Sequence, residues 1–419
     1  MNVVQDFSIG KYFTFDPSKG KPIYNWFYYK EAFSPEVVDY VIDNLDEIGI
    51  SSRARDRRSR DFVPHGKATA SAATLYDPFC GAGTSVLRAK ERGFSSFAVD
   101  SSPLAVFVSR VKCADYSESD IAEIKKFLEE MGGKSSTESE RTNWDFELFP
   151  PRIAFPKSNL NQILSIRNML ESVENQNAAN FLMLALLSVI PQSSLIVKDG
   201  GVLKIDKKKM AMPAKEAFRR KAKGMLVDIE SAKGSSGSSV PNTTPDIRLG
   251  DARKTEFESE SADVIVTSPP YLNNIDYSKI YGLELSLLAL NKKITSETRA
   301  RSVRSFITST ASDTSELPQE VREFANKIPI VGSYFSDMRA VLLEMFRILR
   351  PGGVVGFVIG NSIIHETHIL VDEIIAEMAE SGSNGIGFSS ADVVVGLERI
   401  ADVRPRKVKT RESILILRK

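Results

Sequence analysis

Short apolar runs that stop at turn-forming residues alternate with amphipathic stretches along much of the chain. The segment ATLYDPFCGAGTSVLRAKERG has the pattern of a strand, a glycine-rich turn and a helix, and SSFAVDSSPLAVFVSRVK again has a strand followed by a helix. Strand patterns return in DIRLGDAR, ADVIVTSPPY, GGVVGFVIGN and the C-terminal ESILILRK. Strands that alternate with helices predict an α/β fold with a mostly parallel sheet, covered by helices on both faces.

The alternation of strand and helix is interrupted between residues 115 and 245. Helical patterns dominate this stretch, and its last part, AKGSSGSSVPNTTP, has the composition of a flexible linker. The sequence therefore predicts one α/β domain made from residues 1–114 and 246–419. A mostly helical insertion at 115–245 separates its two parts.

The composition is that of a soluble globular protein, because 42% of the 419 residues are hydrophobic and 26% are charged. The longest apolar run, FLMLALLSVI, is too short to cross a bilayer, and no segment resembles a signal peptide. The two cysteines, Cys80 and Cys113, form neither a disulfide framework nor a metal-binding set. We therefore expect a cytoplasmic protein with no membrane partner.

Basic residues are clustered although the net charge is only +1. Nine lysines and arginines lie between Lys204 and Lys223, five arginines lie in SSRARDRRSR at 51–60, and seven basic residues lie between Arg404 and Lys419. Two interpretations remain open. The clusters are either separate solvated faces or one surface that follows the phosphates of a nucleic acid.

The glycine-rich loop DPFCGAGTSV follows a strand and opens a helix. Gly81 and Gly83 allow a tight turn and a close approach of the backbone to a ligand. The loop is not a dinucleotide fingerprint, because Val86 stands where the third glycine is needed, and no Gly-Lys-Ser/Thr of a P-loop follows. Asp100 ends the next strand, where a carboxylate can accept hydrogen bonds from ribose hydroxyls, and Asp251 ends a later strand in LGDAR.

The segment TSPPY directly follows the buried-looking strand ADVIV. Two prolines end a strand abruptly, because proline lacks the N–H group that strand pairing needs. A strand that stops in this way and presents a hydroxyl, rigid carbonyls and an aromatic ring indicates a preorganised binding or catalytic site. An ordinary strand-ending turn with an exposed tyrosine is the alternative for this segment taken alone.

Together, DPFCGAGT, FAVDSSPLA, LGDAR and TSPPY resemble the motifs of the S-adenosylmethionine-dependent amino-methyltransferases of restriction–modification systems. The N-terminal NWFYYKEAFSPEVV is similar, more loosely, to the motif of that family that closes over the methionine end of the cofactor. The resemblance covers nearly all of the chain except the helical insertion. It implies a Rossmann-like methyltransferase fold, S-adenosyl-L-methionine as cofactor and double-stranded DNA as partner, with a cognate restriction endonuclease as a candidate second partner.

The resemblance also assigns residues. It implies that Asp100 holds the ribose and Asp251 the adenine of the cofactor. The full set of cofactor-binding residues that it implies is Tyr29, Lys30, Asp77, Phe79, Gly81, Gly83, Thr84, Asp100, Asp251 and Ala252. The catalytic residues that it implies are Ser268, Pro269, Pro270 and Tyr271.

These catalytic residues suit transfer of a methyl group to an exocyclic amine. The lone pair of such an amine is conjugated with the base, so hydrogen bonds accepted by the Ser268 hydroxyl and the Pro269 carbonyl would draw the nitrogen toward tetrahedral geometry. The base must be flipped out of the duplex to reach the site, and Tyr271 would stack on it. Cytosine-C5 methylation needs a nucleophilic cysteine, and neither Cys80 nor Cys113 follows a proline.

Three functions are compatible with this pattern. In the resembled family, a serine before Pro-Pro-Tyr is more often found with cytosine N4, which favours N4-methylcytosine as the product. Adenine-N6 methylation of DNA, or methylation of a guanine amine in tRNA, uses the same chemistry. The third is a catalytically inactive module that binds DNA or the cofactor.

Candidate contacts to nucleic acid lie in two basic segments. Arg219, Arg220 and Lys221 belong to the predicted insertion, and Arg301 and Arg304 follow the catalytic motif. A solvated helix face and an ordinary surface loop are the alternatives. His365 and His368 in HETH are expected at the start of a solvated helix, because no H-E-x-x-H motif is present, and no metal site is predicted.

Overall fold

The computed structural model describes residues 1–43, 73–133, 143–199, 201–235, 243–273, 275–305, 313–380, 385–403 and 406–419. The arginine-rich segment at 51–60 and the centre of the predicted linker, 236–242, lie outside the described residues. No helix in the described ranges is both long and apolar enough to cross a membrane.

The described residues form twelve strands, β1 to β12 in chain order. They are β1 Asn2–Gln5, β2 Thr74–Asp77, β3 Ser95–Asp100, β4 Ile196–Asp199, β5 Val202–Ile205, β6 Asp246–Leu249, β7 Ala262–Thr267, β8 Leu349–Gly360, β9 Ser362–Ile364, β10 Thr367–Ile369, β11 Ser390–Val403 and β12 Arg406–Arg418.

Eight of the described strands form one sheet in the order β1-β11-β12-β8-β7-β2-β3-β6. Strands β8, β7, β2, β3 and β6 are parallel, and β12 is antiparallel to both β8 and β11. This order, with an antiparallel strand between two parallel segments, confirms the predicted Rossmann-like methyltransferase fold. The parallel core brings the carboxyl ends of β2, β3, β6 and β7 to one edge of the sheet.

The described residues also form fourteen α-helices, α1 to α14 in chain order. They are α1 Pro35–Asp43, α2 Thr84–Glu91, α3 Pro103–Cys113, α4 Glu118–Gly133, α5 Pro151–Ala154, α6 Lys157–Leu170, α7 Gln176–Ser193, α8 Ala214–Ser235, α9 Tyr277–Ile280, α10 Gly282–Ala289, α11 Ile294–Arg301, α12 Gln319–Lys327, α13 Pro329–Ile348 and α14 Val371–Ala379.

Both faces of the sheet are buried, which explains the nearly continuous apolar runs in its strands. Successive residues of β2 show this directly, since Leu75 belongs to the apolar cluster under α1, whereas Tyr76 belongs to the cluster under α13. Each of these two side chains is fully buried. The alternation of side chains along a strand therefore supplies both layers of helices with a core.

The chain between α3 and β6 contains α4 to α8 and the hairpin β4–β5. Its core surrounds α7 and includes Phe181, which packs edge to face against Trp26 with 5.4 Å between ring centroids. The Trp26 indole N–H also donates to Asp228 of α8 at 2.8 Å. The helical block thus shares its core with the N-terminal segment that precedes the glycine loop.

The HETH segment is not the start of a helix, so that prediction is wrong. His365 and Glu366 form the turn between β9 and β10, with φ angles of 47° and 64°. The sequence pattern was misread because two turn residues between short strands have the same polar composition as the first turn of a helix. Among the described residues, no group of three or more potential ligands is placed to hold a metal ion.

Candidate active site

A cavity at the carboxyl edge of the sheet brings most of the sequence motifs together. It encloses about 1680 Å³ of empty space, including open solvent at its mouth. From the predicted sets, its wall contains Tyr29, Lys30, Asp77, Phe79, Gly81, Thr84, Asp100, Ser268, Pro269, Pro270 and Tyr271. Gly83, Asp251 and Ala252 are not among the residues that line it.

The two glycines of the loop have different roles in the structure. Both have left-handed backbone conformations, with φ of 47° at Gly81 and 77° at Gly83. A Cβ atom on Gly83 would lie 2.8 Å from the Ser109 hydroxyl, so this glycine allows α2 to pack against α3. Gly81 faces the cavity, where an added Cβ would meet nothing closer than 3.8 Å. Gly83 therefore shapes the loop, and Gly81 exposes its backbone to a ligand.

The Asp100 carboxylate holds the glycine loop in place. It accepts hydrogen bonds from the Gly81 N–H at 2.9 Å and from the Ser102 N–H at 2.8 Å. Burial raises the pKa of Asp100 to about 6, and the backbone N–H groups of Ser102, Gly81 and Ser101 oppose that shift. Each carboxylate oxygen retains capacity for another donor, since an ionised carboxylate offers about four acceptor sites.

The Asp77 carboxylate joins the glycine loop to the strand that carries the catalytic motif. It accepts hydrogen bonds from the Phe79 N–H at 3.0 Å, from the Thr267 hydroxyl at 2.6 Å and from the Ser85 hydroxyl. Burial raises its pKa to about 6, against the lowering effect of Ser85, Thr267 and the Phe79 N–H. Because Thr267 directly precedes Ser268, Asp77 fixes the distance between the two halves of the site.

Asp251 lies at the predicted sheet edge, but its carboxylate is already paired. The Arg253 guanidinium donates to both of its oxygens, at 2.9 Å from Nε and 2.7 Å from Nη2. Arg253 also donates to Asp337 at 3.1 Å. Ala252 is 6% exposed and packs in the cluster under α13. The predicted contact between Asp251 and an adenine amine therefore stays a prediction.

The catalytic motif follows β7 at the wall of the cavity. Pro269 is buried, whereas Ser268 and Tyr271 are half-buried. Burial raises the pKa of the Tyr271 hydroxyl well above its ordinary value, and the neighbouring Glu412 carboxylate adds to that shift. A Cβ on Gly360, the last residue of β8, would lie 2.9 Å from the Tyr271 ring. Gly360 is thus required for the position of Tyr271, and nothing in the local sequence indicated this.

The N-terminal motif reaches the cavity through an aromatic pair. Tyr29 stacks on Tyr281 with 4.5 Å between ring centroids and an interplanar angle of 11°. The Tyr281 hydroxyl donates to Glu31 at 2.6 Å and accepts from the Lys30 backbone N–H at 3.1 Å. Tyr281, the residue between α9 and α10, was missed in the sequence, although its position soon after TSPPY was a usable signal. The pair fixes Tyr29 and Lys30 at the cavity wall.

Helix α11 closes another side of the cavity with hydroxyl groups. Thr298 lines the cavity and is 2% exposed, and within the described residues its hydroxyl has no hydrogen-bond partner. Ser302, one turn later, also lines the cavity, and its hydroxyl shares a hydrogen bond of 3.0 Å with the Ser101 hydroxyl. A buried hydroxyl without a partner is costly, so Thr298 is suited to a polar group of a bound ligand. No pattern in the sequence indicated Thr298.

None of the five predicted contacts to nucleic acid is among the residues that line the cavity. Arg219 and Lys221 are half-buried on α8, and the Lys221 ammonium donates to the Asn25 carbonyl at 2.9 Å. Arg220 and Arg301 are exposed. The Arg304 guanidinium donates to Asp337 at 2.6 Å and 2.9 Å. The role of these five side chains in binding nucleic acid therefore stays a prediction.

Comparisons with known proteins identify relatives over nearly the full chain. No protein-family model matches. The type II methyltransferase M.AvaI of Nostoc sp. is 26% identical over 431 residues, which cover 92% of this chain and 83% of that protein. The type II methyltransferase M.BsoBI of Geobacillus stearothermophilus is 24% identical over 480 residues, which cover 98% of this chain and 88% of that protein.

Solved structures also match, but weakly. The rRNA methyltransferase aviRa from Streptomyces viridochromogenes is 9% identical and covers 92% of this chain and 85% of its own, with a TM-score of 0.25. A superposition of this quality supports no argument, so the fold rests on the strand order of this chain.

The cavity fits the cofactor that the sequence implied. Backbone groups of a glycine loop, the Asp100 carboxylate, the Tyr29 ring and the unpartnered Thr298 hydroxyl converge on a space large enough for a nucleoside with an amino-acid tail. The relatives of the chain are type II methyltransferases. Strand order, cavity and relatives therefore agree on a methyltransferase whose cofactor is S-adenosyl-L-methionine.

Proposed function

We propose that the protein transfers a methyl group from S-adenosyl-L-methionine to the exocyclic N4 amine of a cytosine flipped out of duplex DNA. The observation that carries this proposal is the position of Ser268, Pro269, Pro270 and Tyr271 on the wall of the cofactor cavity. Thr267, which directly precedes that motif, donates its hydroxyl hydrogen to Asp77 of the glycine loop. The relatives, which are named type II methyltransferases, support a modification enzyme that acts on DNA.

The residues of the motif have different roles in the proposed reaction. The Ser268 hydroxyl and the Pro269 carbonyl accept hydrogen bonds from the two N–H groups of the amine, which orients its lone pair toward the cofactor. Tyr271, supported by Gly360, stacks on the base. When bound, S-adenosyl-L-methionine would supply an electrophilic methyl group on its sulfonium for direct transfer to the oriented lone pair, and the amine would give up one of its two protons. Most of the acceleration comes from positioning.

The decisive experiment identifies the methylated nucleoside. Unmethylated duplex DNA and labelled cofactor are incubated with the protein. The DNA is then digested to nucleosides, which are separated and identified by mass spectrometry. N4-methylcytosine supports the proposal, whereas N6-methyladenine keeps the chemistry and replaces the target base. A product found only on RNA, or cofactor binding without any product, contradicts a DNA methyltransferase.

The helical block at 115–245 is proposed to contribute to DNA recognition through the basic face of α8. Arg220 is the sharpest probe, because it is exposed, whereas Lys221 holds the Asn25 carbonyl and supports the N-terminal segment. Arg220→Ala is expected to weaken binding to duplex DNA by a few-fold and to reduce its salt dependence by about one phosphate contact. If Arg220→Ala and the unmodified protein bound DNA with equal affinity throughout the range from 50 to 200 mM salt, this contact would be ruled out.

Removal of the Thr298 hydroxyl is expected to weaken cofactor binding. Thr298→Val keeps the shape of the side chain but loses one hydrogen bond to the ligand, which corresponds to about a threefold to tenfold rise in Kd. Thr295, one turn earlier, is a matched control, because its hydroxyl is equally buried and unpartnered among the described residues but does not line the cavity. Titration calorimetry with the cofactor should separate Thr298→Val from Thr295→Val. Equal Kd values would contradict the role of Thr298.

Cofactor binding is expected to weaken in acid. The pKa of Asp100 is raised to about 6, so its carboxylate takes up a proton below that pH and loses acceptor capacity for ribose hydroxyls. If only the ionised form binds, Kd rises about tenfold per pH unit below pH 6. The pKa of Asp77 is also about 6, so Asp77→Asn is the control. If Asp100 causes the pH dependence, the Kd of this variant should rise with the same slope. A Kd that stays constant from pH 7 to pH 5 would contradict the role of Asp100.

A further inference from the structure

An ion pair beside the catalytic tyrosine has no part in the chemistry described so far. The guanidinium of Arg399 lies 3.3 Å from a carboxylate oxygen of Glu412, measured from Nη2 to Oε1. Both residues line the same cavity as Ser268 and Tyr271. The Glu412 side chain is 17% exposed, whereas that of Arg399 is 53% exposed, so the carboxylate is the anchored partner.

A β-bulge brings the two side chains to the same face. In the pairing of β11 with β12, Val395 is opposite Ser413 but Leu397 is opposite Glu412, so Gly396 is an extra residue. If Gly396 were paired as an ordinary strand residue, Arg399 would point to the same face of the sheet as Val395, because successive side chains alternate. Because the bulge leaves Gly396 unpaired, Arg399 is instead opposite Thr410 and is a diagonal cross-strand neighbour of Glu412, within reach of a long side chain.

The pair borders the place where a base would stack. A Cβ atom on Gly360 would lie 2.9 Å from the Tyr271 ring and 3.4 Å from Cγ of Glu412, so the ring and the glutamate meet above this glycine. A base stacked on Tyr271, with its amine at Ser268, has the rest of its Watson–Crick edge free for a neighbouring side chain. Among the described residues that line the cavity, Arg399 supplies a guanidinium, and Lys30 is also a cation.

We propose that Arg399, positioned by Glu412, reads the Watson–Crick edge of the flipped base and favours cytosine; this inference rests on the proposed DNA methyltransferase function. Cytosine has two adjacent acceptors beside its amine, N3 and O2. A guanidinium donates two parallel N–H groups in a rigid fork that matches them. Adenine has a single acceptor there, N1, next to a C–H group. Arg399 thus distinguishes two bases whose amines the Ser-Pro-Pro-Tyr motif could hold equally well.

Glu412 has the environment that a positioning residue needs. Burial raises its pKa, and the Arg399 charge opposes that shift, so the pair is mutually stabilising. The guanidinium of an exposed arginine is mobile unless a partner fixes its plane. Glu412 is therefore a positioning residue that acts through Arg399, and Arg399 is the residue that touches the substrate.

The test compares product identity and kinetics for Arg399→Lys, Arg399→Gln, Glu412→Gln and Lys409→Gln. Lys409 is the matched control, because it pairs with Glu398 on the same two strands at 2.6 Å but does not line the cavity. Each variant is given unmethylated duplex DNA of mixed sequence, and N4-methylcytosine and N6-methyladenine are quantified by mass spectrometry. Cofactor Kd is measured in parallel.

We expect Arg399→Gln and Arg399→Lys to lower kcat/KM for cytosine about 10- to 100-fold and to raise the share of methyladenine. Cofactor Kd should stay near that of the unmodified protein. Glu412→Gln should produce a smaller loss, because its amide oxygen still accepts from Arg399, and Lys409→Gln should have no effect.

Two outcomes overturn the inference and are distinguishable from each other. Normal cytosine methylation by Arg399→Gln, with an unchanged product ratio, removes Arg399 from base recognition and leaves the proposed function intact. Methylation of adenine alone, or no methylation of DNA, by the unmodified protein overturns the proposed cytosine target and the inference together.

Discussion

Ser268→Ala is expected to reduce methyl transfer about 100- to 1,000-fold, the range measured when one preorganised hydrogen-bonding group is removed from an active site. The hydroxyl is one of two acceptors for the amine N–H groups, and alanine offers none. The Pro269 carbonyl remains, so the base is still held but its lone pair is no longer oriented. The loss should therefore fall on kcat, since the interaction matters most in the transition state.

Single-turnover methylation of duplex DNA measures this loss directly, and cofactor Kd shows whether the cavity survives the change. Ser278→Ala is a suitable control, because Ser278 also lines the cavity but donates its hydroxyl hydrogen to Asp276 at the start of α9. We expect near-normal rates from it. A Ser268→Ala protein that transfers methyl groups at a normal rate would show that another group orients the amine.

The convergence of motifs was predictable because it follows from topology. Asp100 and Ser268 are far apart in sequence, yet each follows a parallel strand, and the carboxyl ends of such strands lie along one edge. A pattern of strands and helices therefore predicts which loops meet. The same reasoning placed Asp251 at the edge, but it could not show that Arg253, two residues later, would occupy the carboxylate.

The residues that sequence reasoning missed depend on packing between distant segments. Gly360 matters because the Tyr271 ring lies against it, and Thr298 matters because α11 turns one hydroxyl toward the cavity. The Arg399–Glu412 pair requires a bulge that shifts strand register by one residue. None of these contacts has a periodicity or spacing that a single sequence reveals, because each is fixed by tertiary contacts.

Asp100→Ala is expected to raise the cofactor Kd about 100-fold or more, since it would remove the charged acceptor of the two hydrogen bonds that we propose for the ribose hydroxyls. It also removes the acceptor for the Gly81 and Ser102 N–H groups, so the glycine loop loses its anchor. Asp100→Asn separates these effects, because its amide oxygen still accepts one of the loop hydrogen bonds. We expect from it an intermediate Kd and a thermal unfolding midpoint close to normal.

The comparison with Asp251→Asn gives the sharpest test of how the cavity binds the nucleoside. Asp100 lines the cavity with spare acceptor capacity, whereas Asp251 is held by Arg253 and is absent from the wall. If the described arrangement is the one that binds, Asp251→Asn should raise Kd much less than Asp100→Asn. If both raise it equally, Arg253 must release Asp251 when the cofactor enters, and Asp251 then binds the adenine, as the resemblance implied. Titration calorimetry on these two variants decides between a preformed site and one completed by binding.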